Sequence, residues 1–201
     1  NRFLSFSDIG SYKVASTFGK LIKISLSSFA NFMLPELSKM IASSSKGIYD
    51  YITINHKYIF IIAIGLITSI ILLGDIAIDM IFGSEYQISY FLLLGLLIGY
   101  SFNNFSGPNG TIILALGKLR ILLMIDIITN LTGVVALFIL TWKFGLWGSI
   151  AANVIMLLLY NVLKNIYASR FLDSYRQITK RIFIVWIIVS LFITVVFYLK
   201  F

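Results

Sequence analysis

The chain has 201 residues, of which 59% are hydrophobic and only 12% are charged. Soluble domains have about 45–50% apolar and about 25% charged residues, so this composition indicates a membrane protein with no sizeable soluble catalytic domain. The absence of cysteine excludes thiol nucleophiles, and His56 as the only histidine argues against a Ser-His-Asp triad or a histidine metal site. In so apolar a chain, a net charge of +8 indicates basic cytoplasmic loops rather than nucleic-acid binding.

Six apolar segments follow one another along the chain, and we expect each to be a transmembrane helix of about 20 residues. The first is the least hydrophobic. No run of alternating polar and apolar residues suggests a membrane β-barrel. The sequence therefore predicts an all-α, polytopic helix bundle that forms a single membrane domain over residues 1–201. The six segments are approximately 10–35, 58–80, 88–116, 121–141, 146–163 and 182–199.

Basic residues are divided unevenly between the connections. Ten of them lie in the segments 36–57, 117–120 and 164–181, whereas the opposite side has only Arg2, Lys143 and Lys200. The positive-inside rule makes the three basic segments cytoplasmic loops and places Asn1 outside. We therefore expect a multi-pass protein of the cytoplasmic membrane, in contact with membrane lipid.

Three lysines interrupt the first segment. Lys13, Lys20 and Lys23 are separated by seven and three residues, so they project within one sector of a helix. A charge near the bilayer centre costs at least about 2.5–3.5 kcal/mol, and such residues usually face a watery cavity. A row of amines on a cavity wall suits an anionic substrate, with phosphate the obvious candidate. The alternative is that the lysine stems extend to the membrane surface.

The third segment contains a predicted helix break. Pro108 has no backbone donor, and Gly107 and Gly110 weaken the helix on either side, so we expect a kink or an unwound turn. Asn103, Asn104 and Asn109 surround this point. In a transporter they are candidates to hydrogen-bond a polar substrate such as a sugar. The alternative is that they hydrogen-bond to neighbouring helices.

Several short motifs occur in order between about residues 6 and 165, and together they resemble those in the second half of polysaccharide and oligosaccharide-lipid flippases. These proteins belong to the multidrug/oligosaccharidyl-lipid/polysaccharide exporter superfamily. The motifs are FSDIGSYKVA at residues 6–15, PELS at 35–38, IFGSEY at 81–86, GPNG at 107–110, LALGK at 114–118 and FGLWGSIA at 144–151.

The resemblance implies a two-lobed transporter that works by alternating access around a central cavity. This chain would be part of the second lobe, without that lobe's first helix, and its partner would be the N-terminal lobe of the same protein. The implied substrate is an oligosaccharide linked to polyprenyl pyrophosphate, flipped across the cytoplasmic membrane for surface polysaccharide biosynthesis. The cationic cavity role carries over to Lys20 and Lys23, and less directly to Lys13. The implied protein is a transporter and not an enzyme, and we expect no cofactor.

Two other functions remain open. A cation-coupled exporter of drugs or small molecules, from the same superfamily, is expected to have buried carboxylates, and this chain offers none at mid-membrane. A polytopic membrane glycosyltransferase or acyltransferase is expected to have an acidic residue or a histidine in a loop at the membrane surface. The only candidates for that role are Asp75, Asp79, Glu85 and His56.

Overall fold

A computed structural model describes residues 5–45, 47–171 and 173–200, with only the backbone described for Ser25 and residues 173–182. The structure is 91% helical, and no strand occurs in the described residues, which confirms the all-α prediction. The helices are α1 (Phe6–Ala42), α2 (Ile48–Phe82), α3 (Ile88–Phe105), α4 (Asn109–Ala115), α5 (Leu119–Ala168) and α6 (Asp173–Lys200).

The long helix α5 is a hairpin of two antiparallel arms. Gly145 has φ 57° and ψ −134°, a conformation outside the helical region that L side chains rarely adopt. On either side of it, Thr141 Oγ1 and Ser149 Oγ are 3.2 Å apart, whereas eight residues of straight helix would separate them by about 12 Å. A Cβ on Gly148 would overlap the carbonyl of Leu140, so only glycine permits the two arms to come this close.

Within the described residues, the chain runs the length of the bundle six times. The passes are α1, α2, α3 with α4, the two arms of α5, and α6. One end, here called the Gly145 end, also contains the start of α1, where Gly10 lies against Tyr86, and the end of α6, where Lys200 contacts Asp75. The opposite end is here called the Gly117 end. Successive passes therefore alternate in direction, as the six predicted segments require.

Four helical stretches in the described part of the chain are long and apolar enough to cross a membrane, which supports a membrane helix bundle. They are Ile48–Phe82, Ile88–Ala115, Leu119–Ala168 and Phe183–Lys200. The stretch Leu119–Ala168 contains both arms of the hairpin, and so accounts for two predicted segments. α1 is not among the four, because its lysines and hydroxyl residues lower its hydropathy. It nevertheless packs along the same bundle, against α2, α3 and α4.

The bundle has two apolar clusters separated by polar residues. The larger cluster surrounds the central helix α3 and includes Leu92, Leu93 and Phe105, all fully buried. The smaller cluster lies at the Gly117 end and contains Leu37, Ile52, Ile112, Ile113, Ile125 and Ala168. On α2, α3 with α4, and the second arm of α5, buried polar residues fall between members of these clusters. This polar layer consists of His56, Asn103, Asn104, Ser106, Asn109, Asn161, Lys164 and Asn165.

Two of the predicted cytoplasmic loops are mostly helix, which corrects the sequence-based limits. The segment 36–57 contains the end of α1 and the start of α2, and the segment 164–181 contains the end of α5 and the start of α6. In the third, 117–120, α5 begins at Leu119. Helix continues into these segments because lysine and arginine are good helix formers. Asn1 and Arg2 lie outside the described residues.

Candidate functional site

The predicted helix break is present between α3 and α4. α3 ends at Phe105, Gly107 adopts φ 68°, and α4 begins at Asn109 directly after Pro108. Gly110, which the sequence analysis included in the break, lies inside α4. Position 107 requires glycine for two reasons. A residue with a Cβ would be strained at this positive φ, and the Cβ would also overlap the His56 ring.

His56 satisfies a carbonyl that the break leaves free. Its Nε2 lies 2.8 Å from the carbonyl oxygen of Phe105 and donates a hydrogen to it. The imidazole is buried. A free buried carbonyl costs about 1–3 kcal/mol, so this contact from α2 stabilises the end of α3.

Asparagines connect the break to the second arm of α5. Asn109 donates to Asn161 Oδ1 at 3.3 Å and to Asn165 Oδ1 at 2.9 Å. Asn161 in turn donates to Asn103 Oδ1 at 2.9 Å, and Asn165 donates to Ser106 Oγ at 3.4 Å. We call Asn103, Asn109, Asn161 and Asn165 the asparagine network. The four side chains are buried, so the network fixes α3 and α4 to α5 in the polar layer.

The network bears on the predicted sugar ligands. Asn103 and Asn109 do line a pocket at the break, but their amides already bond across helices, the alternative that the sequence left open. Asn104 differs. Its side chain is fully buried, donates to the Tyr100 carbonyl at 3.1 Å, and does not line that pocket. Asn104 is therefore a buried residue of α3 that does not line the pocket at the break.

The pocket at the break has a volume of about 250 Å³ and is here called the break pocket. Its wall is formed by α1, by the turn at Gly107 and Pro108, by α4 and by both arms of α5. Lys23 and Lys164 contribute two amines to it from different helices, and Tyr160 lies beside them. A second pocket of about 210 Å³ shares Lys23 and Tyr160 and is also lined by Asp126.

Lys13, Lys20 and Lys23 lie on an exposed face of α1, as the helical spacing predicts. The opposite face packs into the bundle through Val14, Ala15 and Ile22. Among the described residues, none of the three lysines forms an ion pair. Of the three, only Lys23 lines the break pocket. Lys13 and Lys20 face outward from this chain, along a strip that also carries Thr17, Ser27, Ser28 and Asn31.

Lys164 is the main site residue that the sequence analysis missed, because counting basic residues assigned it to a loop. Its side chain is only 6% exposed, and its Nζ lies 3.6 Å from the centre of the Tyr160 ring. A signal was available, since Asn161, Lys164 and Asn165 have i, i+3 and i+4 spacing and so share one face of an apolar helix.

Comparison with protein-family models, with curated proteins and with solved structures gives no match. A function for this chain must therefore be inferred from the arrangement of its side chains.

The polar residues considered for membrane-surface chemistry do not meet at one place. Asp75 forms an ion pair with Lys200 at 2.6 Å, and Asp79 and Glu85 are exposed near the same end. His56 lies in the polar layer, bonded to Phe105. Within the described ranges, no group of three or more histidine or acidic residues could hold a metal ion.

Proposed function

We propose that this chain is part of a transporter that moves an oligosaccharide linked to polyprenyl pyrophosphate across the cytoplasmic membrane. The observation that carries the proposal is the exposed lysine face of α1. Lys13 and Lys23 are ten residues apart, so the lysine strip extends about 15 Å along a helix that runs the length of a membrane bundle. That distance is about half the thickness of the hydrocarbon core.

Contact with lipid does not suit this face. An amine near the bilayer centre costs at least about 2.5–3.5 kcal/mol, and none of the three lysines forms an ion pair with a carboxylate in the described part of the chain. The exposed side chains of α2 and the first arm of α5 are mostly apolar, whereas α1 exposes lysine and hydroxyl residues together with Leu21, Ile24 and Phe32. The strip therefore suits a water-filled cavity, closed on its other side by the N-terminal lobe that the resemblance implies. Amines in such a cavity attract phosphate.

The geometry also gives physical reasons for two of the motifs behind the resemblance. In GPNG, Gly107 has a positive φ and packs against His56, and Asn109 joins the asparagine network. In FGLWGSIA, Gly145 reverses the chain and Gly148 lets the arms of α5 touch. These residues are needed for the fold of the lobe. The transport assignment therefore depends mainly on the lysines.

The test is export of a surface glycan by cells whose full-length transporter carries substitutions in α1. Lys20→Gln and Lys23→Gln should each lower export several-fold, and the double variant should lower it by tenfold or more, because a charged hydrogen bond to phosphate is worth about 1.5–3 kcal/mol. Arginine at either position should restore export in part, since it keeps the charge but changes the geometry.

Lys39→Gln is the matched control, because Lys39 is exposed and lies in the last turn of α1, away from the strip. It should leave export unchanged. All variants are compared at equal amounts in the membrane. Normal export by the double glutamine variant would exclude the cationic-cavity mechanism and favour lysine stems that reach the membrane surface.

A further inference from the structure

We propose that the break pocket is a binding site for the phosphate group of a lipid, held between Lys23 of α1 and Lys164 of α5. The shared chemistry is an anionic phosphate, and its source is either an anionic phospholipid or the pyrophosphate of the carrier lipid. Only the second source rests on the proposed function. The two lysines are far apart in sequence, and folding brings both to one cavity beside the helix break.

Lys164 is the first observation behind this site. A lysine that is 94% buried should have a partner, because a buried unpaired charge is costly. Within the described residues, however, its Nζ has no hydrogen bond and no carboxylate within 4.0 Å. Its contact is the face of the Tyr160 ring, which holds an ammonium but leaves its three donors available.

The position of the amine is the second observation. Lys164 lines the break pocket, and its Nζ lies 3.5 Å from the point where a Cβ on Gly110 would stand. A pocket of about 250 Å³ is large enough for a phosphate group, whereas the lipid chains attached to it would extend beyond the pocket along the apolar faces of the bundle.

Charge balance is the third observation. Lys23 and Asp126 are both close enough to Lys164 to act on it electrostatically, and they line the adjoining pocket together. When both lysines are protonated, two ammonium groups and one carboxylate leave one uncompensated positive charge. A phosphodiester carries one negative charge and would neutralise it, whereas a zwitterionic headgroup has no net charge to offer. The site therefore favours anionic over zwitterionic lipid.

Depth agrees with a headgroup site. If the hydrocarbon core, about 30 Å thick, begins where α3 begins at the Gly145 end, the break lies about 26 Å into it and so near its far side. Phosphate groups lie near that level of a bilayer. A lipid could reach the pocket from the leaflet at the Gly117 end without its headgroup crossing the membrane.

The experiment measures stabilisation of the purified full-length protein in a neutral detergent. Three probes are added separately: dioleoylphosphatidylglycerol, dioleoylphosphatidylcholine and farnesyl pyrophosphate. We expect at least one of the two anionic probes to raise the midpoint of thermal unfolding in a saturable way, and phosphatidylcholine to have no effect. Phosphatidylglycerol alone would identify a headgroup site, and farnesyl pyrophosphate alone would identify the carrier lipid as the source.

Lys164→Met keeps a long unbranched side chain beside Tyr160 and removes the charge. It should weaken binding of the effective probe by about tenfold or more, as should Lys23→Met. Lys164→Arg should retain most of the affinity. Lys164→Gln, which also removes the charge and should weaken binding to the same extent, replaces the methionine variant if that variant does not fold. Lys118→Met is the control, since Lys118 is an exposed lysine at the same end and outside the break pocket.

Two results would overturn the site: no stabilisation of the unsubstituted protein by either anionic probe, or equal affinity in the lysine variants and in the Lys118 control. This readout is independent of export. Loss of probe binding in Lys164→Met with normal export by the Lys20 and Lys23 glutamine variants would retain the site and reject the transport mechanism. Normal probe binding in Lys164→Met with lowered export by the Lys20 and Lys23 glutamine variants would reject the site and retain the transport mechanism.

Discussion

Gly107 and His56 are structurally coupled, because the break at Gly107 needs a hydrogen bond from His56 and the His56 ring leaves no room for a side chain at position 107. The positive φ of Gly107 ends α3, the free carbonyl of Phe105 then needs a donor, and the His56 ring supplies it from α2. The ring occupies the space that a Cβ on Gly107 would need. A local break in the backbone is therefore stabilised by a residue that is remote in sequence.

We predict that Gly107→Ala lowers the free energy of unfolding by about 2–5 kcal/mol. About 1–2 kcal/mol of this comes from the positive φ and about 1–3 kcal/mol from overlap with the His56 ring. In a His56→Ala background the overlap is gone, so the same glycine substitution should cost only the backbone part. The measurement is a double-mutant cycle from unfolding in sodium dodecyl sulfate mixed micelles, followed by tryptophan fluorescence.

Gly65→Ala is the control for that cycle, because Gly65 lies in α2 with open space around its Cβ position. It should be neutral or slightly stabilising, since alanine is a better helix former than glycine. Additive effects of Gly107→Ala and His56→Ala would contradict the proposed coupling between ring and glycine.

Among the elements, the α5 hairpin shows how one residue divides 50 consecutive helical residues into two passes. The sequence predicted two apolar segments here, 121–141 and 146–163, and the structure places the reversal between them at Gly145. The positive φ of Gly145 reverses the direction, and the small residues beyond it let the arms pack closely. Gly133 continues this contact further along the hairpin, against Met156.

The hairpin predicts a cross-link between its arms. Thr141→Cys with Ser149→Cys should form a disulfide on mild oxidation, because the two hydroxyl oxygens are 3.2 Å apart and the chain has no other cysteine. Adding Gly148→Ala should abolish the cross-link and destabilise the protein, since its Cβ would overlap the Leu140 carbonyl and backbone cannot move aside as a side chain can. Mass spectrometry after oxidation shows whether the two thiols are free or joined in a disulfide.

Thr132→Cys with Ser149→Cys is the negative control, since Thr132 is exposed on the first arm. A disulfide in this pair, or none in the Thr141 pair, would be incompatible with the reversal at Gly145.

The whole molecule has apolar surface on α2, on the first arm of α5 and on α6, and a lysine strip on α1. Exposed leucine, isoleucine, valine and phenylalanine side chains form the apolar part, which suits contact with lipid chains. The contrast between the faces gives the bundle a lipid side and a polar side. This apolar part includes Leu72, Leu73, Ile76, Leu131, Val134, Phe138, Ile188, Leu191 and Phe192.

We predict that the Gly117 end faces the cytoplasm, because the basic residues concentrate there. Ser44 lies in the connection between α1 and α2, and Lys143 lies beside the turn at the opposite end, both with exposed side chains. In intact cells, an impermeant maleimide should label Lys143→Cys and should reach Ser44→Cys only after permeabilisation. The reverse pattern would invert the topology and move the break pocket to the outer leaflet.

The sequence by itself determined the helices and the break. Apolar length predicts the spans after α1 from residues within them, and Pro108 removes its own backbone donor, so both features are local and can be recognised without the fold. The spacing of Lys13, Lys20 and Lys23 likewise predicted a shared face, because helical periodicity is local. The family resemblance and the transport function stay predictions.

Only the tertiary structure decided how the polar residues are used. Asn109 donates hydrogen bonds to Asn161 and Asn165, more than 50 residues away. No local pattern specifies which distant side chain accepts a hydrogen bond from a buried amide. The sequence placed Lys164 in a cytoplasmic loop because it is a basic residue next to others. In the structure, helix α5 continues past it and packing buries it at the break. Burial and pairing depend on which helices become neighbours, and that follows from packing of the whole bundle, to which each segment contributes only one face.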